Sequence, residues 1–147
     1  MLHSKNSRSY KLEARSSVLF INSAHRENSY IILTHDAIRK QMKVVDRNVL
    51  AACDALLTKE KVALKKLKGI VVVTGPGQFS SLRTGITIAN TLGFACSLPV
   101  AGVKLADTLD AMLNSGLQKL AKLKKFRPLG AEYGQEPNIT VKVTSNR

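Results

Sequence analysis

The sequence has no tryptophan, only three tyrosines and four phenylalanines, and two cysteines. Cys53 and Cys96 lie among apolar residues without a cysteine or histidine beside them, and His3, His25 and His35 are scattered along the chain. A zinc site needs clustered ligands, whereas isolated cysteines in an apolar setting are typical of reduced core thiols. We therefore expect neither a metal nor a disulfide, which fits a reducing compartment.

Long hydrophobic runs are also missing. A membrane-spanning helix needs about 18 or more apolar residues, and the most apolar stretch, residues 86–103, is interrupted by Thr, Asn, Gly, Ser and Pro. Residues 1–17 are basic and serine-rich and lack the apolar core of a secretory signal. The sequence therefore predicts a soluble, cytoplasmic protein that begins with a basic flexible extension over residues 1–17.

Acidic residues are scarce, since ten Asp and Glu stand against 23 Lys and Arg and give a net charge of +13. The excess is concentrated in residues 1–17, 39–68 and 119–127. Such clusters bind phosphate backbones, but they are also typical of solvated faces or of a surface that meets an acidic protein. The shortage of aromatic side chains counts against base stacking. The candidates for nucleic-acid contact are Lys65, Lys66, Lys68, Lys122, Lys124 and Lys125.

Hydrophobic patterning indicates an α/β fold. Two hairpin strands come first and strand–helix alternation follows, which favours a mixed five-stranded sheet with flanking helices. The continuous apolar run at residues 70–73 is typical of a central strand covered on both faces. The predicted strands are 18–21, 29–34, 37–43, 70–73 and 98–103, with a weak one at 138–143, and the predicted helices are 45–57, 81–96 and 104–112, followed by a lysine-rich amphipathic segment at 114–127.

The segment GPGQFSSLRTG, residues 75–85, joins the central strand to the next helix. It lacks the third glycine of a dinucleotide loop and the lysine of a P-loop, and Pro76 has no N–H to offer a phosphate. Pro76 followed by Gly77 is typical of a type II turn, and Ser80 or Ser81 is a candidate N-cap. The residues predict a rigid turn more strongly than a phosphate site.

The helix that follows has small residues every four positions, at Gly85, Ala89 and Gly93. Each interior glycine costs about 0.8–1.0 kcal/mol relative to alanine, so we expect close packing in return. That packing is either against the sheet of the same chain or against a helix of another subunit, and we favour the second. Arg83, in the first helical turn, is placed against the helix dipole, so it either meets a partner's carboxylate or packs its stem on Phe79.

The stretch IVVVTGPGQFSSLRTGITIANTLGFACSLPVAGV resembles the TsaB (YeaZ) family, whose signature there is close to GPGSFTGLRIG. The resemblance runs from Val18 to about Met112. It implies an RNase H-like domain of the actin/Hsp70-like kinase superfamily, with a TsaB-like N-terminal domain at 18–113 and a basic C-terminal extension at 114–147 in place of the usual second domain. Where the family usually has Asp-Thr-Ser after its first strand, this chain has Asn22-Ser23-Ala24, which weakens any metal-nucleotide chemistry.

The resemblance also implies a partner. TsaB proteins are non-catalytic partners of the enzyme TsaD, which with the ATPase TsaE installs threonylcarbamoyl on the adenosine next to the anticodon of ANN-reading tRNAs. In that family the first two long helices pack against TsaD or a second TsaB. The implied interface residues are therefore Val49, Cys53, Leu82, Arg83, Gly85, Ile86, Ala89, Asn90 and Gly93, and the loop residues are Gly75, Pro76, Gly77 and Phe79.

The functional hypothesis is thus a non-catalytic scaffold for a TsaD-like enzyme, without a cofactor of its own. It contacts a TsaE-like ATPase or a second copy of itself, and tRNA either indirectly or through its basic faces. The alternative is a basic nucleic-acid-binding domain that acts without TsaD. Independent catalysis has little support, because there is no HExxH motif or nucleophile–base spacing, and Asp107 and Asp110, one turn apart, are typical of a solvated face.

Overall fold

The computed structural model describes residues 17–35, 38–123 and 125–130. Within these ranges the chain forms five strands, three α-helices and two single-turn 3-10 helices at Arg26–Asn28 and Leu64–Lys66. The strands and helices are β1 (Val18–Asn22), β2 (Tyr30–His35), β3 (Ile38–Lys43), α1 (Val49–Glu60), β4 (Gly69–Gly75), α2 (Phe79–Cys96), β5 (Val100–Lys104) and α3 (Leu109–Lys122).

The strands form one mixed sheet in the order β3-β2-β1-β4-β5. β1 pairs antiparallel with β2, and β2 with β3, whereas β1–β4 and β4–β5 are parallel. Parallel neighbours need a crossover, which α1 and α2 provide. The predicted five-stranded mixed sheet with flanking helices is confirmed, and it is consistent with the RNase H-like class.

β4 is an interior strand, and its seven residues are all buried between β1 and β5. Pro99 directly precedes the edge strand β5, and its carbonyl accepts a hydrogen bond from the Ile70 N–H at 3.0 Å. A proline lacks the N–H that strand pairing uses, and it is tolerated here because it stands at the start of an edge strand. The predicted covered strand and the proline at a strand start are both confirmed.

The two faces of the sheet carry different helices. Ile21 and Val72 are register partners and share one face, which α1 and α2 cover, and Gly85 of α2 lies beside Ile21 there. Phe20 and Val71 share the opposite face, where Gly116 of α3 lies directly on Val71. The parallel part of the sheet is thus sandwiched, which explains why its strands are continuous apolar runs.

Helix α1 begins later than predicted. Asn48 caps it by accepting a hydrogen bond from the Ala51 N–H at 3.0 Å, and the helix ends at Glu60, before Lys61 in the left-handed conformation with φ of 59°. The buried face is Val49, Ala52, Cys53, Leu56 and Leu57. Val45, predicted as the first member of this face, precedes the helix and is 65% exposed.

The C-terminal part of the described chain also differs from the prediction. Lys104 ends β5 rather than starting a helix, and one helix, α3, replaces the predicted helix and amphipathic segment. It starts after Thr108, whose hydroxyl oxygen accepts a hydrogen bond from the Ala111 N–H. The predicted domain boundary between residues 113 and 114 falls within α3, and Leu120 beyond it lies in the same core.

Some expectations lie outside the described residues. They are the extension over residues 1–16, the weak strand at 138–143 and the lysine at position 124. Within the described part of the chain, none of the helices has the length and apolar character needed to cross a bilayer.

Candidate partner-binding surface

The loop between β4 and α2 is held against the residues that follow β1. Gly75 has φ of 136° and its bond to Pro76 is cis. Gly77 lies so close to Ala24 that a Cβ at this position would be 2.6 Å from the Ala24 carbonyl oxygen, and the Gln78 N–H donates to the same carbonyl at 2.8 Å. The predicted type II turn is wrong, because the positive φ is at Gly75 and Gly77 is needed for close approach.

The start of α2 is tied to the same region by side chains. Gln78 is the N-cap and makes no side-chain capping bond, so the predicted cap at Ser80 or Ser81 is wrong. The Ser81 hydroxyl donates instead to the Ser23 carbonyl. The Gln78 side-chain oxygen accepts from the Arg26 N–H at 2.5 Å. The two loops at the carboxyl ends of β1 and β4 therefore form one connected unit.

The stripe of small residues on α2 faces this chain's own sheet. A Cβ at Gly85 would overlap the Ser23 hydroxyl oxygen and lie 3.4 Å from Ile21 Cγ2. A Cβ at Gly93 would overlap Val100 Cγ2 and lie 2.9 Å from Phe126 Cδ1. The prediction that this stripe faces another subunit is wrong, and the alternative of internal packing is what the structure has.

Most of the predicted interface residues are also buried in this chain. They lie on the sheet-facing sides of α1 and α2. The buried members are Val49, Cys53, Leu82, Gly85, Ile86, Ala89 and Gly93. The exposed exception is Arg83, whose guanidinium carbon lies 5.5 Å from the centroid of the Phe79 ring. This is the internal alternative that the sequence left open, and the pair lies on the exposed side of α2.

Asn90 has a structural partner. Its side-chain amide donates to the Leu129 carbonyl at 2.9 Å and accepts from the Leu129 N–H at 3.0 Å. Residues 126–130, which follow α3, are thereby fixed to the side of α2, and Leu129 packs beside Gly102 of β5. Asn90 is therefore engaged by the chain itself.

An apolar groove of about 480 Å³ lies between the exposed sides of α1 and α2. Its walls include Leu50, Leu57, Leu64 and Leu92, and Leu50 is 51% exposed. The Cys53 thiol lies at its base, where burial raises the thiol pKa from 9.0 to about 12. The groove thus presents apolar side chains and a protonated, unreactive thiol.

Sequence patterning misses this groove. Leu50 falls outside the helical spacing that selects Val49, Cys53 and Leu56, so that spacing does not single it out. An apolar residue on the otherwise polar side of an amphipathic helix is the signal that could have revealed it.

The acidic pair of α3 is solvated, as expected. Asp107 is exposed and precedes the helix, while Asp110 binds Arg39 of β3 at 2.6 Å with 70% of its side chain exposed. The described residues contain no group of three His, Cys, Asp or Glu side chains arranged to hold a metal ion.

Comparison with known proteins identifies the family. A family model described as TsaD, tRNA N6-adenosine threonylcarbamoyltransferase, matches residues 39–126, more than half of the chain. The chain belongs to this family. Among named relatives, TsaB of Bacillus subtilis strain 168, a tRNA threonylcarbamoyladenosine biosynthesis protein, is 36% identical over 62 residues, covering 42% of this chain and 27% of the relative. TsaB of Buchnera aphidicola subsp. Schizaphis graminum is 28% identical over 87 residues, covering 59% of this chain and 40% of the relative.

The solved structures agree. YeaZ from Pseudomonas aeruginosa matches with a TM-score of 0.55 and 27% identity, covering 60% of this chain and 45% of that one. A second Pseudomonas aeruginosa structure, described as similar to the peptidase YeaZ, matches with the same TM-score and 26% identity, covering 60% of this chain and 43% of that one. The TsaB (YeaZ) resemblance is thus confirmed, and the chain spans less than half the length of these TsaB and YeaZ proteins.

Proposed function

We propose that this TsaB-family chain is a non-catalytic scaffold subunit that supports a TsaD-like enzyme in the threonylcarbamoyl modification of adenosine next to the anticodon of ANN-reading tRNAs. The names of its TsaB relatives place them in threonylcarbamoyladenosine biosynthesis. The TsaD family model and a 34% identical TsaD-type relative from Trichlorobacter lovleyi, over 67 residues and 18% of that protein, indicate that this chain shares a fold with its proposed partner.

The observation that carries the proposal is the groove between α1 and α2. Leu50, on the wall of this groove, is 51% exposed. Exposed apolar side chains beside an apolar groove are typical of a protein interface rather than of a monomer surface. A helix of a related domain, laid along this groove, would bury Leu50 and leave the core residues beneath it undisturbed.

The absence of catalysis by this chain is supported by what its candidate polar groups do. Asn22, at the position where the family usually has aspartate, accepts from the Ala24 N–H at 3.1 Å and donates to the Tyr30 hydroxyl at 3.2 Å. These bonds give its amide a structural role at the end of β1. A carboxamide also lacks the negative charge that a metal-nucleotide site needs.

The test is co-elution of the full chain with the TsaD-like protein of the same organism. Leu50→Glu places a charge at the mouth of the groove and is expected to abolish co-elution, because an apolar contact cannot accommodate an unpaired carboxylate. Ala111→Glu is the matched control, since it adds the same charge on exposed α3 across the sheet. Circular dichroism of both variants verifies the fold.

Co-elution of a folded Leu50→Glu variant at the wild-type level would contradict the proposal. Self-association through the same groove is a second occupant of one surface. Sedimentation of the chain alone tests for such a dimer. If Leu50→Glu dissociates the dimer while binding to the TsaD-like protein persists, the groove belongs to a second copy of this chain. In the proposed complex, a TsaE-like ATPase and tRNA join the assembly through the TsaD-like subunit.

A further inference from the structure

The amino ends of the parallel strands β4 and β5 gather basic segments that lie far apart in the sequence. Residues 59–68 lead from the end of α1 into β4, and α3 runs back past the same strands to end beside them. A Cβ at Gly69 would be 2.8 Å from Leu120 Cδ2 and 3.1 Å from the Pro99 carbonyl oxygen. The start of β4, the start of β5 and the last turn of α3 are therefore in direct contact.

The charge at this end is almost of one sign. Residues 59–68 and 119–127 contain a single acidic residue, Glu60. The ion pair found among the described residues, Arg39 with Asp110, lies away from this end, so neither Glu60 nor another acidic group in that part of the chain pairs with its basic side chains. We call this surface the basic end; its exposed members are Lys59, Lys61, Lys65, Lys66, Lys68, Lys122, Lys125 and Arg127.

An aromatic pair lies beside these charges. Phe94, near the end of α2, is 74% exposed. Its ring packs edge-on against Phe126, with centroids 6.0 Å apart and planes at 67°. Phe126 is in turn placed over Gly93 and stands between Lys125 and Arg127 in the chain. The aromatic component that is scarce in the sequence is thus assembled at this end from two segments.

A groove of about 570 Å³ along β5 continues this surface. Lys122 and Arg127 are among its lining residues, with Leu129 and Gly130. The basic end therefore combines unpaired cations, a concave path and one exposed ring.

We propose that the basic end binds single-stranded or looped nucleic acid, with the lysines contacting successive phosphates and the Phe94 ring stacking on one unpaired base. Cations along a groove with an aromatic ring beside them are the combination that single-strand binding uses. A membrane surface fits less well, because insertion needs several apolar side chains. In the part of the chain that the structure describes, the other large exposed apolar residues are Val45, Leu50 and Phe79, and they lie outside this end.

The first test measures the salt dependence of binding by the full chain to a fluorescent RNA single strand of about 16 nucleotides. Two double variants, Lys65→Gln/Lys66→Gln and Lys122→Gln/Lys125→Gln, each remove charge from one converging segment. Each should weaken binding and lower the slope of log K against log salt by about 0.7 for every phosphate that the variant no longer neutralises.

The matched control is Lys43→Gln/Lys104→Gln, which removes the same charge at the opposite end of the sheet. It should keep the wild-type slope. Equal losses in all three double variants would show a general effect of net charge and would overturn the proposal. Undiminished RNA binding by the two basic-end variants would also overturn the proposal. This holds whether or not the wild-type chain binds vesicles of anionic phospholipid.

The second test isolates the ring. Phe94→Leu should weaken binding to the single strand about five- to hundredfold and leave binding to a duplex of the same sequence unchanged, because stacking needs an unpaired base. Phe79→Leu, at the other end of α2 and 52% exposed, is the control and should bind as the wild type does. Equal single-strand affinity of Phe94→Leu and Phe79→Leu would remove the stacking role.

The inferred RNA-binding role is independent of the proposed scaffold role. The assays use the chain without a TsaD-like partner, and Phe94 does not line the groove between α1 and α2. Loss of RNA binding with intact TsaD co-elution, or the reverse, therefore shows which of the two proposals fails.

Discussion

Ser23 and Ser81 are joined by two reciprocal hydrogen bonds. The Ser23 hydroxyl donates to the Ser81 carbonyl at 2.8 Å, and the Ser81 hydroxyl donates to the Ser23 carbonyl at 2.5 Å. Ser23 follows β1 and Ser81 lies in the first turn of α2, so the pair fixes where α2 begins against the sheet. Gly85, one turn later, packs against the same Ser23 side chain.

Gly85→Ala is therefore expected to destabilise the chain, by about 1–3 kcal/mol through overpacking against Ser23. In a Ser23→Ala background the hydroxyl is gone and the nearest atom is a Cβ at about 3.1 Å, so the same substitution should cost less. Urea unfolding of both single variants and the double variant measures the coupling. Strictly additive costs would contradict the direct packing of Gly85 on Ser23.

Asn90→Ala removes both bonds to the Leu129 backbone. We expect a loss of about 1–3 kcal/mol in the free energy of unfolding, since two half-buried peptide groups lose their partner. Release of residues 126–130 should also accelerate tryptic cleavage after Lys125, followed by mass spectrometry. Thr91→Ala, at the exposed neighbouring position, is the control. Equal cleavage rates in the two variants would refute the clamp.

The Cys53 thiol should resist alkylation. Its pKa, raised by burial from 9.0 to about 12, keeps it protonated at pH 8, and only the thiolate is nucleophilic. The half-buried Cys96 should label first, and Cys53 only in denaturant, with Cys96→Ser used for assignment. Because burial disfavours the thiolate only in the native state, the thiol leaves the free energy of unfolding unchanged below pH 9.0 and lowers it as the pH rises towards about 12. Rapid native labelling of Cys53 would contradict its burial.

Two hydroxyl residues near helix starts should behave differently. Thr108→Ala deletes the side-chain cap of α3 and is expected to cost about 1 kcal/mol. Ser80→Ala, at a position that sequence preference alone would name as a cap of α2, should change stability by less than about 0.5 kcal/mol, because its exposed hydroxyl only accepts from Arg26 at 3.1 Å. Thermal unfolding of both variants decides whether the structure or the preference is right.

The strands could be predicted from the sequence because burial on two faces requires continuous apolar runs, as at residues 70–73. The start of α1 and the extent of α3 could not, because Asn48 and Thr108 become caps only when the chain leaves the sheet there. A hydrophobic period of 3.6 residues identifies a helix, but it does not show whether the stripe of small residues meets this chain's own sheet or another subunit. The pattern alone therefore places Gly85 and Gly93 on the partner-facing surface, whereas they pack on the sheet.

The candidate surfaces depend on more distant relationships. Leu50 and Leu92 meet across the groove only because α1 and α2 cover the same face of the sheet. Phe94 and Phe126 are 32 positions apart in the sequence, and their rings meet only in the folded chain. Local pattern carries no information on such pairs.

The edges of the sheet limit how copies of this chain can assemble. Along β5, the Lys119 ammonium group donates to the Gly102 carbonyl at 2.7 Å, so a charged group occupies an acceptor that an incoming strand would need. On the opposite edge, β3 places Arg39, Lys40 and Lys43 among its six residues. Growth into a continuous intermolecular sheet is disfavoured at both edges, so copies of this chain would associate through the faces of the fold more readily than by pairing strands.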